Sequence, residues 1–294
     1  MKKIKKCIIP AAGSGTRFLP ATKALPKEMF PIVNKPVMQL LVEEALSIGC
    51  EEIIIITWRN KRAIEDHFDA NIELEDKLAK AWKDKFLEEV KKVNQLANFV
   101  YIRQPYPLWD GDAILRAKNL INENEPFLVL FWDDIVDWEK TASQQLLDAF
   151  KRKNSSVIAT VKVNDEEVSS YGILEGDGKD IFVVDKFLEK PSKDETNSRN
   201  WVIWKYILTA DIFDYLEKAR TNRISKDWEL RLADALELMR QDKDIYWVTI
   251  KWERFDTWSK LWYLKAMVHY GLKDRELSKE FLEYLQLKLN KWKK

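Results

Sequence analysis

The sequence predicts an α/β fold: a Rossmann-like, mixed but mostly parallel central sheet, flanked by helices and followed by a helical C-terminus. Short apolar runs that suit buried strands alternate with amphipathic helical patterns in the first half of the chain. This alternation is typical of parallel sheets with right-handed crossovers. The predicted strands of this half are 4–9, 52–57, 99–103, 127–131 and 157–163.

Helical patterns lie between these predicted strands. The segments 36–48, 60–68, 73–93 and 110–121 repeat apolar residues at helical spacing, so one face of each helix would pack on the sheet. In the first segment that face consists of Val37, Leu40, Leu41, Ala45 and Ile48. The first half therefore predicts a doubly wound sheet.

The second half of the chain has a mixed pattern. Strand-like segments at 172–175, 181–188, 202–208 and 245–251 are interspersed with helical segments at 210–219, 229–240, 259–270 and 274–291. We predict one domain over residues 1–271. The last helix, over 272–294, would cap the sheet or contact another subunit of a homo-oligomer.

Composition and charge exclude several classes of protein. The 49 basic and 48 acidic residues nearly cancel, to a net charge of +1, so any anion site must be local and we expect no nucleic-acid partner. No apolar stretch is long enough to span a bilayer or to form the core of a signal peptide. Two cysteines cannot form a disulfide framework. We therefore expect a cytoplasmic protein without a membrane partner.

The loop after the first predicted strand carries the strongest chemical signal. Gly13 and Gly15 would let the backbone approach a phosphate group closely. Arg17, Lys23 and Lys27 add three cations, which suits a triphosphate and the pyrophosphate that it releases. The loop matches neither the Walker pattern nor the full Rossmann glycine pattern. The alternative interpretation is a tight turn with solvated lysines.

Several motifs resemble those of bacterial UTP–glucose-1-phosphate uridylyltransferases, the UDP-glucose pyrophosphorylases of the sugar nucleotidyltransferase family. The resemblance begins with GSGTR at 13–17, PATK at 20–23 and PKEM at 26–29. It continues, in the same order as in the family, with NKRAIEDHF at 60–68, RQ at 103–104, DD at 133–134, EKP at 189–191 and FD at 255–256. It covers nearly the whole chain and implies the nucleotidyltransferase fold, with residues 1–271 as the catalytic domain.

The resemblance also implies a reaction and a set of site residues. Glucose 1-phosphate would attack the α-phosphate of UTP in line, forming UDP-glucose and pyrophosphate with Mg²⁺ as cofactor. The implied catalytic residues are Arg17, Lys27, Asp133 and Lys190. The implied nucleotide-binding residues are Ala11, Ala12, Gly13, Gly15, Thr16, Lys23, Glu28, Gln104, Trp109 and Gly111. The implied sugar-binding residues are Tyr171, Gly172, Glu189 and Lys190, and the implied metal ligands are Asp133 and Asp256.

Other interpretations of these residues remain open at this stage. The enzyme could use dTTP or another sugar 1-phosphate, or the chain could bind a nucleotide sugar without turnover. The acidic pair at 133–134 could cap a helix, and the segment 189–191 could be a surface turn. Asp112 stands where the family usually has a histidine, so the resemblance does not define its contact with the nucleotide.

The tryptophan and glycine contents are unusual. The chain has 13 tryptophans and only 8 glycines, although average usage predicts roughly 20 glycines in this length. Tryptophan stands at positions where the family usually has glycine or another small residue: 58, 109, 132, 204, 228, 258 and 262. Our hypothesis is that most of these tryptophans stand at UGA codons, which the native host reads as glycine. The alternative is a chain rich in tryptophan that uses indoles to stack on sugars.

Overall fold

A sheet of eleven strands organises the chain in a computed structural model that describes residues 2–13, 15–106, 108–132, 134–222, 229–251, 253–256 and 259–292. Two small two-stranded sheets accompany it. The strands are β1 Lys6–Pro10, β2 Pro31–Ile32, β3 Lys35–Pro36, β4 Glu52–Thr57, β5 Asn98–Arg103, β6 Phe127–Leu130, β7 Asp134–Asp137, β8 Val157–Lys162, β9 Gly172–Glu175, β10 Gly178–Lys179, β11 Ile181–Val183, β12 Lys186–Glu189, β13 Asn200–Leu208, β14 Tyr246–Thr249 and β15 Glu253–Asp256.

The order of strands in the large sheet is β10-β11-β14-β8-β13-β6-β1-β4-β5, with β9 pairing to β13 and β12 to β9. Parallel pairs join β6 to β1, β1 to β4, β4 to β5, and β14 to β8. Strand β13 runs antiparallel to both β6 and β8, so the strands on its two sides point the same way. The predicted mixed, mostly parallel sheet is confirmed.

Helices pack on the sheet and bury its strands. They are α1 Val37–Leu46, α2 Arg62–Phe68, α3 Ile72–Lys80, α4 Asp84–Asn94, α5 Trp109–Leu115, α6 Ala142–Lys153, α7 Ile212–Asn222, α8 Leu232–Asp242, α9 Lys260–Lys273 and α10 Ser278–Trp292. The four consecutive isoleucines of β4 are all fully buried, as expected for a parallel strand with both faces covered. None of these helices is both long and apolar enough to cross a membrane.

Several predicted elements need correction. The single helix predicted over 73–93 is two helices, α3 and α4, because the chain turns at Ala81–Lys83. The strand predicted over 181–188 is two strands, β11 and β12, which pair with different partners. The helix predicted over 110–121 ends at Leu115 and is followed by a short 3-10 turn. The C-terminus is helical as predicted, and the expected boundary at residue 271 falls within α9.

Helix α6 was not predicted, although its first turn carries a local signal. The Thr141 hydroxyl accepts a hydrogen bond from the Gln144 backbone N–H, and the Gln144 side chain accepts one from the Thr141 backbone N–H. This capping box satisfies two donors that the start of a helix leaves unpaired. The helix stops at Asn154, whose φ of 50° is left-handed.

Three tryptophans in the described part of the chain adopt left-handed backbone conformations that glycine normally supplies. The φ angles are 56° at Trp82, 70° at Trp109 and 57° at Trp204. Trp109 and Trp204 are among the positions at which the family usually has glycine or another small residue, and Trp82 is not. In the same set, Trp58, Trp132 and Trp262 lie outside the left-handed region, and residues 228 and 258 lie outside the described ranges.

Trp82 occupies the glycine position of a helix C-terminal motif. After α3 ends, the N–H of Lys83 donates to the Leu78 carbonyl at 3.0 Å, and the N–H of Trp82 donates to the Ala79 carbonyl at 3.2 Å. These two bonds define a Schellman motif, in which the residue at the position of Trp82 is usually glycine. The backbone here is therefore built for a residue without a Cβ.

Candidate active site

The parallel strands β1, β4 and β5 end at one edge of the sheet, where ligands of such sheets bind. Beyond this edge the N–H of Ala11 donates to the Ile56 carbonyl at 2.8 Å, and the N–H of Gln104 donates to the Thr57 carbonyl at 2.8 Å. Ala11 and Gln104 thus lie on the two sides of β4. Both residues were predicted to bind the nucleotide, and both are buried at this edge of the sheet.

The glycine loop packs directly on Lys27. A Cβ atom at Gly13 would lie 2.8 Å from the Lys27 Nζ, and one at Gly15 would lie 3.2 Å from its Cδ. Gly15 also has a φ of 70°, and its carbonyl accepts a hydrogen bond from the Thr22 hydroxyl at 2.7 Å. The left-handed backbone therefore favours glycine at residue 15, and at Gly13 the missing Cβ lets the Lys27 ammonium approach the loop. The structure places one predicted cation, Lys27, against the predicted phosphate loop.

The Lys27 ammonium is also in contact with an indole ring. It lies 3.5 Å from the centre of the Trp132 ring, and the Lys27 side chain is only 4% exposed. Trp132 is itself buried and follows β6 at the same edge of the sheet. Arg17 and Lys23, the other predicted cations, are exposed on 3-10 turns beside the loop.

Glu28 forms a buried ion pair with a residue that was not predicted to belong to the site. Its two carboxylate oxygens accept hydrogen bonds from the Lys61 ammonium at 2.8 and 2.6 Å, and both side chains are buried. Glu28 therefore faces Lys61 rather than the glycine loop. The pair joins the 3-10 turn Lys27–Met29 to the start of α2. In the sequence, the only indication that Lys61 belongs to the site is its place in the NKRAIEDHF motif at 60–68.

A polar network surrounds the Gln104 side chain. Its Nε2 donates to the Asp112 Oδ2 at 2.8 Å and to the Trp109 carbonyl at 3.1 Å. Arg116, one helical turn further along α5, donates to both oxygens of Asp112 at 3.1 and 3.3 Å. Asp112 therefore contacts the glutamine that was predicted to read the base. Neither Asp112 nor Arg116 was predicted as a site residue.

The start of α5 is fixed to the start of α8. The Asp110 carboxylate accepts hydrogen bonds from the backbone N–H groups of Gly111, at 2.7 Å, and Leu232, at 3.0 Å. The Gly111 N–H also donates to the Leu230 carbonyl at 2.9 Å, and a Cβ at Gly111 would lie 2.7 Å from that oxygen. Burial raises the pKa of Asp110 to about 6, although these hydrogen bonds and nearby Arg231 oppose the shift.

The predicted sugar-binding residues meet at the end of one antiparallel ladder. Gly172, the first residue of β9, pairs with Glu189, the last residue of β12. The N–H of Lys190 then donates to the Tyr171 carbonyl at 3.1 Å, and Lys190 has a left-handed φ of 47°. The Tyr171 ring stacks on Trp201 with 3.7 Å between ring centres. All four predicted residues are adjacent in space.

The predicted metal ligands lie on or beside two paired strands. Strand β15 is antiparallel to β7, and its last residue, Asp256, pairs with Asp134. Asp133 precedes β7 in the sequence but lies outside the described residues, and the described part of Asp256 is its backbone. No group of three or more acidic, histidine or cysteine residues that could hold a metal occurs among the described residues. The strand register therefore brings the two predicted acidic segments together.

Both histidines contact neighbouring polar side chains. The His67 Nε2 lies 3.0 Å from the Gln39 Oε1, and His269 lies between Asp137 and Glu253.

A cavity of about 750 Å³ opens near Asn154 and Thr209, and none of the predicted site residues lines it.

Comparison with known proteins places this chain in a family. The model of the nucleotidyl transferase family matches residues 6–269. The UTP–glucose-1-phosphate uridylyltransferase 1 of Staphylococcus saprophyticus is 43% identical over 286 residues, which cover 97% of this chain and 98% of the relative. The UTP–glucose-1-phosphate uridylyltransferase of Bacillus subtilis is 41% identical over 294 residues, which cover 99% of both chains. The chain belongs to the UTP–glucose-1-phosphate uridylyltransferase family.

Solved structures of this family share the fold. A UTP-bound UGPase from Acinetobacter baumannii superposes with a TM-score of 0.89 at 33% identity, covering 96% of this chain and 99% of the other. A UDP-glucose pyrophosphorylase complexed with UDP-glucose gives a TM-score of 0.80 at 36% identity, covering 92% of this chain and 100% of the other. The nucleotidyltransferase fold and the enzyme class predicted from the motifs are confirmed.

The family assignment leaves the individual site residues as predictions. The structure brings Ala11, Gly13, Gly15 and Lys27 together with Gln104 at one edge of the sheet. The remaining predicted residues of the loop are Ala12, Thr16, Arg17 and Lys23, which follow the same strand. Glu28 is turned toward Lys61, and Trp109 presents its backbone carbonyl to Gln104. Residue 133 lies outside the described ranges, and the side chains of Glu189 and Asp256 are not described.

Proposed function

We propose that this chain transfers the uridylyl group of UTP to glucose 1-phosphate, forming UDP-glucose and releasing pyrophosphate. One observation supports this most directly: the Gly13–Gly15 loop packs on the buried Lys27 ammonium at the sheet edge that also carries Gln104. The loop and the ammonium suit the phosphates, and Gln104 suits the base. Similar chains are described as UTP-bound and as complexed with UDP-glucose.

The reaction needs no nucleophile from the protein. A phosphate oxygen of glucose 1-phosphate attacks the α-phosphorus of UTP, and the bond to the oxygen that bridges the α- and β-phosphates breaks as pyrophosphate leaves. The Lys27 ammonium would hold the phosphates and stabilise the charge that develops on them. Arg17 and Lys23 would add charge from the exposed side of the loop. The protein therefore acts by positioning and electrostatics.

A divalent metal, proposed as Mg²⁺, fits the acidic segments. The β7–β15 register sets Asp256 opposite Asp134, the residue after Asp133, and carboxylate oxygens are the ligands that Mg²⁺ prefers. We propose Asp133 and Asp256 as its ligands. When bound, the metal would neutralise charge on the phosphates. On the sugar side, Tyr171, Gly172, Glu189 and Lys190 would contact the hydroxyls and phosphate of glucose 1-phosphate.

Pyrophosphate release from UTP and glucose 1-phosphate, with Mg²⁺ supplied, tests this proposal. Lys27→Ala should lower kcat/KM by about 100-fold or more, because it removes a buried cation from the phosphates. Lys80→Ala is the matched control, since Lys80 is exposed on α3 and pairs with Asp76. A rate with dTTP or another sugar 1-phosphate above that with UTP and glucose 1-phosphate would reassign the substrate. UDP-glucose binding by calorimetry without turnover in either direction would make the chain a binding protein.

We also propose that the chain forms a homo-oligomer through its C-terminal helices, with residues 272–294 as part of the contact. The helices α9 and α10 expose apolar side chains at Leu261, Leu264, Leu282, Leu287 and Leu289. A second copy of the same apolar surface would cover them, as in most symmetric oligomers. Light scattering on the wild type and on Leu264→Glu tests this. A monomeric wild type contradicts it.

A further inference from the structure

The side-chain amide of Gln104 has only one orientation that suits its neighbours. Its nitrogen end faces the Asp112 carboxylate at 2.8 Å and the Trp109 carbonyl at 3.1 Å. Both neighbours can only accept hydrogen bonds, and an amide nitrogen has two hydrogens to donate. A reversed amide would set its oxygen against two oxygens. The network therefore fixes which end of the amide faces these two groups.

The opposite end of the amide is then a hydrogen-bond acceptor. Among the described residues, the hydrogen bonds of Gln104 use its Nε2 and its backbone N–H, and none uses its Oε1. Gln104 is 2% exposed, so its amide is held away from bulk solvent. A ligand at this edge of the sheet would meet a fixed acceptor rather than an amide that can rotate.

Asp112 is itself held in the orientation that this requires. Arg116 donates to both of its oxygens from one helical turn away, and the Asp112 side chain is buried. Both oxygens are therefore acceptors in this network, and the one nearer Gln104 accepts from its Nε2. Asp112 thus acts on the glutamine and not on the ligand.

We propose that Asp112 is a positioning residue that makes the site specific for a pyrimidine with a proton on ring atom N3. The inference rests on the proposed function, in which Gln104 reads the base of the nucleoside triphosphate. Uracil and thymine carry an N3–H that the Gln104 Oε1 would accept. Cytosine has a lone pair at N3, which would face that oxygen without a hydrogen bond. The network therefore selects UTP against CTP, and it does not separate UTP from dTTP.

The substitution Asp112→Leu should remove part of this selection. The Asp112 Oδ2 accepts from both Gln104 and Arg116, so an asparagine could keep its oxygen there, whereas leucine has a similar shape and no acceptor. Only the Trp109 carbonyl would then orient the Gln104 amide, which could reverse and present a donor to the base. Leaving one buried hydrogen-bonding group mismatched costs about 10- to 100-fold in specificity. The ratio of kcat/KM for UTP to kcat/KM for CTP should fall by at least about tenfold.

The control variant is Arg116→Met, which removes a partner of Asp112 but keeps the acceptor beside Gln104. Its UTP-to-CTP ratio should stay within about twofold of the wild type, even where its overall rate falls. A purely structural role would lower the rates with both nucleotides equally in both variants. An unchanged ratio in Asp112→Leu overturns the inference.

A measurement on the wild type covers the case in which Asp112→Leu does not fold. The wild type should use 3-methyl-UTP, which lacks the N3 proton, at least about 100-fold less well than UTP. Equal use of the two nucleotides would overturn the inference without any variant. The proposed function has a separate readout, because it fails if the wild type releases no pyrophosphate from UTP. In that case calorimetry tests the inference by itself, and equal binding of UTP and CTP would overturn it.

Discussion

Replacing Trp82 by glycine should stabilise the protein. Trp82 is 87% exposed, so removing its indole exposes little buried surface. Its φ of 56° places a Cβ in a left-handed conformation, which costs about 1–2 kcal/mol for a residue other than glycine. The extra freedom of glycine in the unfolded chain offsets about 0.5–1 kcal/mol of that gain. The net increase in the free energy of unfolding should be about 0.5–1 kcal/mol.

Urea unfolding followed by circular dichroism measures this change. Trp82→Ala separates relief of backbone strain from loss of an exposed indole, because alanine keeps the Cβ and should stabilise little or not at all. Trp292→Gly is a second control: Trp292 is about as exposed but ends the right-handed helix α10, where no left-handed strain is relieved and glycine should not stabilise. If Trp82→Gly is no more stable than Trp82→Ala, the assignment of a glycine-type position at residue 82 is wrong.

Three further predictions concern other parts of the chain. Lys61→Met should destabilise the fold by about 3–5 kcal/mol, because it leaves the Glu28 carboxylate buried without its partner; adding Glu28→Leu should recover much of the loss in chemical unfolding. Asp110 has a folded-state pKa of about 6, above its ordinary value, so its contribution to stability is present below pH 4 and is lost as the pH rises through 6. Asp110→Asn keeps the acceptor for the α8 backbone and should stabilise more at pH 7.5 than at pH 4; an equal effect at both pH values would show that the carboxyl is not perturbed. Intact-mass spectrometry of the protein from its native host should give a mass below that of a chain with 13 tryptophans, and agreement with 13 would exclude glycine decoding.

The strands and the phosphate loop could be predicted because their signals are local. Strand β4 was predicted with its observed limits, since four consecutive isoleucines between polar residues suit only a buried strand. The loop at Gly13 and Gly15 was predicted from glycines and cations within one short segment, and the structure packs Lys27 on it. The fold class followed from the alternation of these local patterns.

The errors have physical causes that a single sequence does not display. The break between α3 and α4 was missed because tryptophan, not glycine, stands at the C-terminal turn, so the usual stop signal is absent. The short pair β7 and β15 joins residues more than 100 positions apart, and neither strand has a periodic pattern. Asp112 and Lys61 act through Gln104 and Glu28, and these contacts exist only after the chain has folded. Helix α6 did carry a signal, the Thr141 capping box, which was overlooked.

The central claim is that UTP binds between the glycine loop and Gln104 at the carboxyl edge of β1, β4 and β5. A crystal structure of the protein with UTP and Mg²⁺ tests it most directly. We predict that the triphosphate lies against the Lys27 ammonium and that the N3–H of uracil donates to the Gln104 Oε1. A nucleotide bound at another edge of the sheet, or a base that has no contact with Gln104, would contradict the account.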